Sequence, residues 1–415
     1  MTNQSDIAVS TNRKHRLKIG FLSLALAEIV SRILPIISIR FVKDALGIEG
    51  FGAAQIVLNH IDLFLFAVGP GLSSYGAIQA GRTKNTRSVS EIASCVLFTK
   101  AVYAAIIFFL CLVIPSSDIE LPRIYLMTLV FVGLWSIFDL ELSHLKNKNV
   151  SLLAVFLIFT KITSFILIVS LIKNADDLPL YLTIFVGTNS LLAITTFLYN
   201  RRNVKIHYPG KDKLFKFFRD SFAFNLSMTF FFFLDKVDLF VGRFTLSAAE
   251  VGAYAVPLKI SQSLGPMLIS VYRSFFAEMI GQQEDRAFLK KSVKFQLLFS
   301  TIVLASAAIG SLFLGDWIID ILFKIENSKS GVLLAGTLMS ALTSIFIYVL
   351  AFQVLGLVNL TVVMLRGSIL AFAFTVAVSW YFASVWGSMG LVLGILSIKS
   401  LYALWLWKKG WKHLA

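Results

Sequence analysis

Long apolar runs separated by short polar connections recur along the whole chain. A membrane-crossing helix takes about 20 mostly apolar residues. Twelve stretches reach that length: 17–43, 53–80, 90–114, 122–145, 149–173, 178–200, 215–242, 250–280, 288–314, 330–356, 358–383 and 387–408. A closed β-barrel is the other way to cross, with strands of about ten residues alternating in polarity. Stretches 106–114 and 332–357 are too uniformly apolar for that, and the second is also too long. The pattern therefore predicts an all-α integral membrane protein of about 12 transmembrane helices. Connections are short, the longest being 201–214, 281–287 and 315–329, and leave no room for a soluble domain.

Lys and Arg set the orientation. The N-terminal tail, the connections after spans 2, 4, 6 and 8, and the C-terminus hold 23 of the 38; the opposite side holds six. Cytoplasmic loops carry the excess of basic residues, so both termini are expected in the cytoplasm and the span number is expected to be even. The first span has no small-residue cleavage site near its end and reads as uncleaved. Residues 1–16 read as a polar, disordered cytoplasmic tail.

Twelve spans divide into two sixes. With a shift of 200 residues, Leu46, Gly52, Ala53 and Leu58 fall on Leu246, Gly252, Ala253 and Leu258. Span 2 carries Gly69-Pro70-Gly71 and span 8 carries Gly265-Pro266. Proline removes a backbone donor and kinks a helix, and interrupted helices at matching places in two halves point to a transport site between repeats. Pro35, Pro70, Pro257 and Pro266 are the candidate hinges. The expected organisation is a cytoplasmic tail (1–16), a first six-helix bundle (17–200), a basic cytoplasmic linker (201–214), a second six-helix bundle (215–408) and a cytoplasmic tail (409–415).

Composition narrows the function. Hydrophobic residues make up 57% and charged residues 15% of the chain, against roughly 25% charged in soluble proteins, and mean hydropathy is +0.80. Soluble enzyme folds are excluded. The net charge of +15 sits in a chain too apolar for a soluble nucleic-acid binder, so no nucleic-acid partner is expected. Cys95 and Cys111 are 16 residues apart on one span, about 24 Å along a helix, too far for a disulfide. The five histidines lack metal-ligand spacing, and no Gly-x-x-x-x-Gly-Lys-Ser/Thr loop is present, so neither a metal, a cofactor nor a built-in ATPase is expected. Gly47, Gly50 and Gly52 join two spans and read as a tight turn.

Nine cations remain inside predicted spans: Arg32, Arg40, Lys100, Lys161, Lys236, Lys259, Arg273, Arg366 and Lys399. Each costs about 2.5–3.5 kcal/mol at a helix centre, so such residues usually face a cavity or a partner. The acids inside spans are Glu28, Asp62, Asp139, Glu141, Asp220, Asp235, Asp238 and Glu278. Glu28 and Arg32 are spaced to pair on one helix face, and Asp235 and Asp238 share a face that Lys236 leaves by about 100°. Either these charges neutralise one another between helices, or they leave a net cationic cavity. Cations outnumber acids and several acids lie near span ends, which favours the second reading. Such a cavity suits an anionic substrate, because Lys and Arg bind phosphate oxygens by charge-assisted bonds. His60, with Asp62 two residues on, is a candidate for proton coupling.

Leu46-Gly47-Ile48-Glu49-Gly50-Phe51-Gly52 resembles the turn after the first helix of Wzx-type O-antigen and polysaccharide flippases. Arg219-Asp220-Ser221-Phe222, residues 235–242 and Glu250-Val251-Gly252-Ala253-Tyr254 resemble that family's second half, and the terminal helix over 390–408 with its basic tail fits as well. The resemblance implies the multidrug/oligosaccharidyl-lipid/polysaccharide exporter superfamily: two six-helix bundles around a central cavity, alternating access, and no enzymatic activity. It implies a bacterial inner-membrane protein that moves undecaprenyl-pyrophosphate-linked glycan from the cytoplasmic to the periplasmic leaflet, coupled to H⁺ or Na⁺. Its implied partners are that lipid-linked glycan, membrane lipids, a polysaccharide polymerase and a chain-length regulator.

Cavity-lining spans 1, 2, 7 and 8 of that superfamily correspond here to segments carrying Arg32, Asp62, Asp235, Lys236, Asp238, Lys259 and Arg273. The expected pyrophosphate and sugar contacts are Arg32, Lys236, Lys259 and Arg273, with Lys161, Arg366 and Lys399 as further buried cations. Glu28, Asp62, Asp235 and Asp238 are the ion-coupling candidates. Two alternatives remain: a cation-coupled drug exporter of the same superfamily, whose cavity should be acidic or aromatic, and a membrane polysaccharide polymerase or ligase, which usually needs a larger outside loop.

Overall fold

A computed structural model describes residues 4–81, 86–113, 132–138, 150–201, 205–282, 285–324, 329–358 and 360–414. Among them there is no strand. The helices are α1 (Gln4–Val68), α2 (Pro70–Gly81), α3 (Thr86–Val113), α4 (Val150–Leu171), α5 (Leu178–Asn200), α6 (Lys211–Leu234), α7 (Val237–Thr245), α8 (Ala248–Gly281), α9 (Arg286–Phe323), α10 (Ser330–Ile347) and α11 (Thr361–Leu414). A π-helical stretch, Tyr348–Leu355, extends α10. Residues 132–138 are helical; the rest of the fourth predicted span, with Asp139 and Glu141, lies outside the described residues.

Six helical segments among the described residues are long and apolar enough to cross a membrane: Ile29–Ala80, Ser88–Leu110, Ala175–Tyr199, Arg286–Phe323, Ser330–Leu355 and Thr361–Lys412. The chain is a multi-pass membrane protein. Side chains such as Phe109, Phe159, Phe313 and Leu404 are exposed on outer helix faces, where lipid rather than water is their fitting solvent.

The 65 residues of α1 would span about 98 Å if straight, some three times the hydrocarbon thickness. The chain breaks at Gly47, with φ 72° and ψ 169°, a conformation that glycine alone adopts freely. This is the turn that the glycine cluster foretold. Gly387, with φ 58° and ψ −138°, likewise divides α11, and Gly394 then lies against the Ser379 backbone, so the two arms run back along each other. The expected disordered N-terminal tail differs from what forms: residues from Gln4 onward belong to α1. Extending an existing helix avoids the nucleation cost that makes isolated helices marginal. Helix α6 likewise starts at Lys211, inside the expected linker, after Gly210 with φ 87°.

A large buried apolar cluster includes residues of α10, its π-helical extension and α11. Val349, Leu350, Leu355, Met364 and Leu406 are fully buried there.

One crossing ties α1 to α8. A Cβ on Gly52 would overlap the carbonyl oxygen of Ala248, and a Cβ on Gly252 would overlap that of Ile48. The contact is reciprocal, and positions 200 residues apart exchange roles across it. Only glycine lets two backbones approach this closely. Gly52→Ala is expected to destabilise the protein by about 1–3 kcal/mol through overpacking, seen as a lower melting temperature in detergent. Gly187→Ala is the control, because nothing lies within 4 Å of a Cβ there.

Candidate functional site at two broken helices

Two helices are interrupted, and they lie side by side. The first break is at Gly69, between α1 and α2. Pro70 has no N–H to give to the carbonyl of Phe66 four residues back. Thr229 of α6 offers a replacement donor, its hydroxyl lying 3.1 Å from Phe66 O and 3.0 Å from Asn225 O on its own helix. Gly71 then brings α2 onto α6, where a Cβ would stand 2.5 Å from Asn225 Cα. Phe66 and Phe232 stack at 4.4 Å and 9° beside this junction.

The second break is at Asp235-Lys236, between α6 and α7. The last turn of α6 tightens, with Asp235 N bonded to Phe232 O and Lys236 N to Phe233 O. Asn59 of α1 donates to the Lys236 carbonyl at 3.2 Å. Each broken helix is thus secured by a side chain from the other. Non-helical backbone at membrane depth persists only when its polar groups find such partners.

The break sends neighbouring charges in different directions. Lys236 Nζ meets Asp62 Oδ2 at 2.6 Å, joining the second broken helix to α1, and stands 3.4 Å from Gln262 Oε1 on α8. Asp235 turns instead to α10 and α11, where its Oδ1 accepts from Lys399 Nζ at 2.5 Å and from Ser344 Oγ at 2.5 Å. Lys399 also donates to the hydroxyls of Ser340 and Ser344 at 3.1 Å each. Asp238 takes a third direction, accepting from Tyr254 OH at 3.2 Å and from the backbone N–H of Leu239 at 2.8 Å. It sits in the first turn of α7, where the helix dipole favours a negative charge. The expected shared face of Asp235 and Asp238 does not form, because the helix that would create it is broken between them.

Lys236, Asp238 and Lys399 are buried, while the side chains of Asp62 and Asp235 keep 23% and 28% of their surface exposed. Lys259 lies one turn before Gln262 on α8, within electrostatic reach of Asp62, Lys236 and Asp238. It makes no ion pair among the described residues. Three carboxylates and three ammonium groups therefore meet around the break. The expected net cationic cavity is not what these six groups form; two of the three lysines are neutralised between helices.

Other sequence-predicted positions lie elsewhere. Lys161 donates to Asn189 Oδ1 at 2.6 Å, between α4 and α5. Arg366 is exposed on α11 and Pro35 is exposed within α1. Arg32 is half-buried on α1. The side chains of Glu28, Arg273, Pro70 and Pro266 lie outside the described ones. The chain is not interrupted at Gly265-Pro266: α8 runs unbroken through Pro257 and Pro266. A proline removes a single donor, and neighbouring groups in a membrane helix can make up the loss without ending the helix. Pro257 is buried, and its carbonyl receives Thr337 Oγ1 of α10 at 3.5 Å.

His60 has both ring nitrogens engaged, Nδ1 with Ile56 O at 2.7 Å and Nε2 with Arg243 Nη1 at 3.5 Å. The neutral Nδ1–H tautomer satisfies both contacts. Asn59, Thr229, Ser340, Ser344, Tyr254 and Gln262 are site residues that the search for charges missed. Polar side chains one turn apart on otherwise apolar helices, as in Asn59/Asp62 and Ser340/Ser344, were the available signal.

A family model described as "Polysaccharide biosynthesis protein" matches residues 17–276. The fold is shared with solved membrane transporters. The lipid II flippase MurJ in an inward closed conformation aligns with TM-score 0.68 at 13% identity, covering 94% of this chain and 87% of that one. A multidrug resistance MATE family transporter of the MOP superfamily, outward-facing, gives 0.64 at 14% identity, covering 95% of each chain. A Vibrio cholerae MATE transporter mutant gives 0.61 at 15% identity, covering 96% of each. No curated protein sequence matches the chain.

Proposed function

The chain belongs to the polysaccharide biosynthesis protein family and has the fold of flippases and exporters rather than of an enzyme; from this premise we propose that it translocates undecaprenyl-pyrophosphate-linked oligosaccharide repeat units, of the O-antigen type, from the cytoplasmic to the periplasmic leaflet of the bacterial inner membrane, with both termini in the cytoplasm. The observation that carries the reading is the cluster at the second helix break. Lys236 and Lys259 share one acid, Asp62, which pairs with Lys236 at 2.6 Å, since Asp235 is held by Lys399 and Asp238 by Tyr254. A pyrophosphate cannot enter hydrocarbon without partners that replace its hydration, and two ammonium groups at mid-depth supply them. Arg32 and Arg273 lie on the same two helices, α1 and α8, and extend the set. Asp62 and Asp235 are the acids open enough to exchange a coupling ion.

The Gly52/Gly252 crossing would be the point that parts when the cavity opens on the side of the Gly47 turn. A polymerase and a chain-length regulator would receive the translocated repeat.

The fold of the MATE transporters supports a second reading, export of organic cations. The two are separated in reconstituted vesicles. The flippase reading expects a lipid-linked oligosaccharide to become accessible to an added glycan-modifying enzyme only when the protein is present. Efflux of a lipophilic cation dye without any movement of the glycolipid would favour the exporter instead.

A further inference from the structure

Lys236 and Lys259 share one carboxylate within reach that is not committed elsewhere. Asp62 closes on Lys236 at 2.6 Å, yet its own side chain is 23% exposed while that of Lys236 is 9% exposed. The acid is therefore the partner with room to leave. Lys259 makes no ion pair among the described residues, and Gln262 Nε2, one turn away on the same face, is buried without an acceptor. Unused donors thus stand around an ammonium whose present counter-ion has an open side. A phosphate brought to Lys236, Lys259 and Gln262 would meet the Asp62 carboxylate, and two anions do not share such a site at membrane depth without one of them losing its charge or moving away.

We propose that Asp62 is a resident counter-ion that a phosphate-bearing ligand displaces from Lys236, so that ligand binding itself breaks the ion pair between α1 and the break separating α6 from α7 and leaves the Asn59 bond as the remaining link between them. The proposal rests on the phosphate-binding reading given above and adds a residue that opposes binding. The site holds Asp62 when empty, which keeps the buried lysines neutralised, and phosphate when loaded. Asn59 bonds the Lys236 carbonyl at 3.2 Å, a backbone contact that an exchange of side-chain partners does not require to break.

The test uses the full-length protein in lipid nanodiscs with farnesyl pyrophosphate, a lipid pyrophosphate without sugar, as the probe. Asp62→Asn removes the competing charge and keeps the shape. It is expected to bind the probe about tenfold more tightly, within the usual range of coupling between two ligands of one site. The gain should vanish when Lys236→Gln is added, and Asp62→Glu should bind as the unaltered protein does. Hydrogen exchange at residues 233–240 should rise on probe binding in the unaltered protein and be high already in Asp62→Asn. Unaltered or weaker binding by Asp62→Asn, with normal binding by the unaltered protein, would overturn the displacement and leave the flippase reading standing. Absence of probe binding by the unaltered protein would overturn both. A melting temperature for each variant separates loss of the fold from loss of the site.

Discussion

Replacing Asp235 by alanine is expected to be the most damaging single change at the broken helices, costing about 3–5 kcal/mol of stability. The reason is the partner it leaves behind. Lys399 is 3% exposed and lies between Asp235, Ser340 and Ser344. Two hydroxyls do not neutralise an ammonium that has lost its carboxylate. Lys399→Met is expected to cost less, because Asp235 is 28% exposed at its side chain and can turn toward the open side. The double variant Asp235→Asn/Lys399→Met is expected to recover much of the loss, since replacing both members of a buried pair by neutral groups is often tolerated. Thermal melts of the three variants in detergent check this. Equal losses in all three would mean that packing, not the charge pair, sets the stability of α11 against the break.

The second large effect concerns transport. Lys236→Gln together with Lys259→Gln removes two ammonium groups from the phosphate site while keeping much of the side-chain volume. Hydrogen bonds to charged groups contribute about 1.5–3 kcal/mol each, so transport through the site is expected to fall by roughly 10²–10⁴-fold. Arg366→Gln, exposed on α11, is expected to leave transport within a factor of about three, consistent with surface changes of under 0.5 kcal/mol, and Lys161→Gln, whose Asn189 partner lies on α5, is expected to leave the phosphate site intact. Flipping of a lipid-linked oligosaccharide in vesicles measures all three variants.

That the chain is helical and crosses the membrane repeatedly was legible because lipid imposes a simple rule: about 20 apolar residues per crossing. One conformational glycine was legible too, whereas Gly210 and Gly387, which also take positive φ, carried no such signal. Gly47 takes φ 72° at the turn where the cluster Gly47, Gly50, Gly52 was noted. The break at Asp235-Lys236 was not, because it contains neither Gly nor Pro. Its signal was different: Asp235, Lys236 and Asp238 follow the run Phe230-Phe231-Phe232-Phe233-Leu234, and no single face of a regular helix could satisfy three such charges in lipid. Breaking the helix lets each find its own partner. Conversely, Gly265-Pro266 suggested an interruption that does not occur; a Cβ added at Gly265 would stand at ordinary contact distance from Ala341 of α10. Pairing between distant charges, Lys236 with Asp62 and Lys399 with Asp235, could not be read from sequence, because separations of 174 and 164 residues are bridged by tertiary packing alone. Counting cations against acids therefore overstated the positive charge at the site.

The central claim, movement of a lipid-linked glycan, is tested most directly in cells that lack this protein and have no redundant flippase. Lipid-linked repeat units are extracted and their leaflet is determined by accessibility to an external modifying enzyme, with surface polysaccharide measured alongside. Accumulation of the repeat on the cytoplasmic side with loss of surface polysaccharide is the predicted result. Normal surface polysaccharide, with no accumulated repeat, would contradict the account.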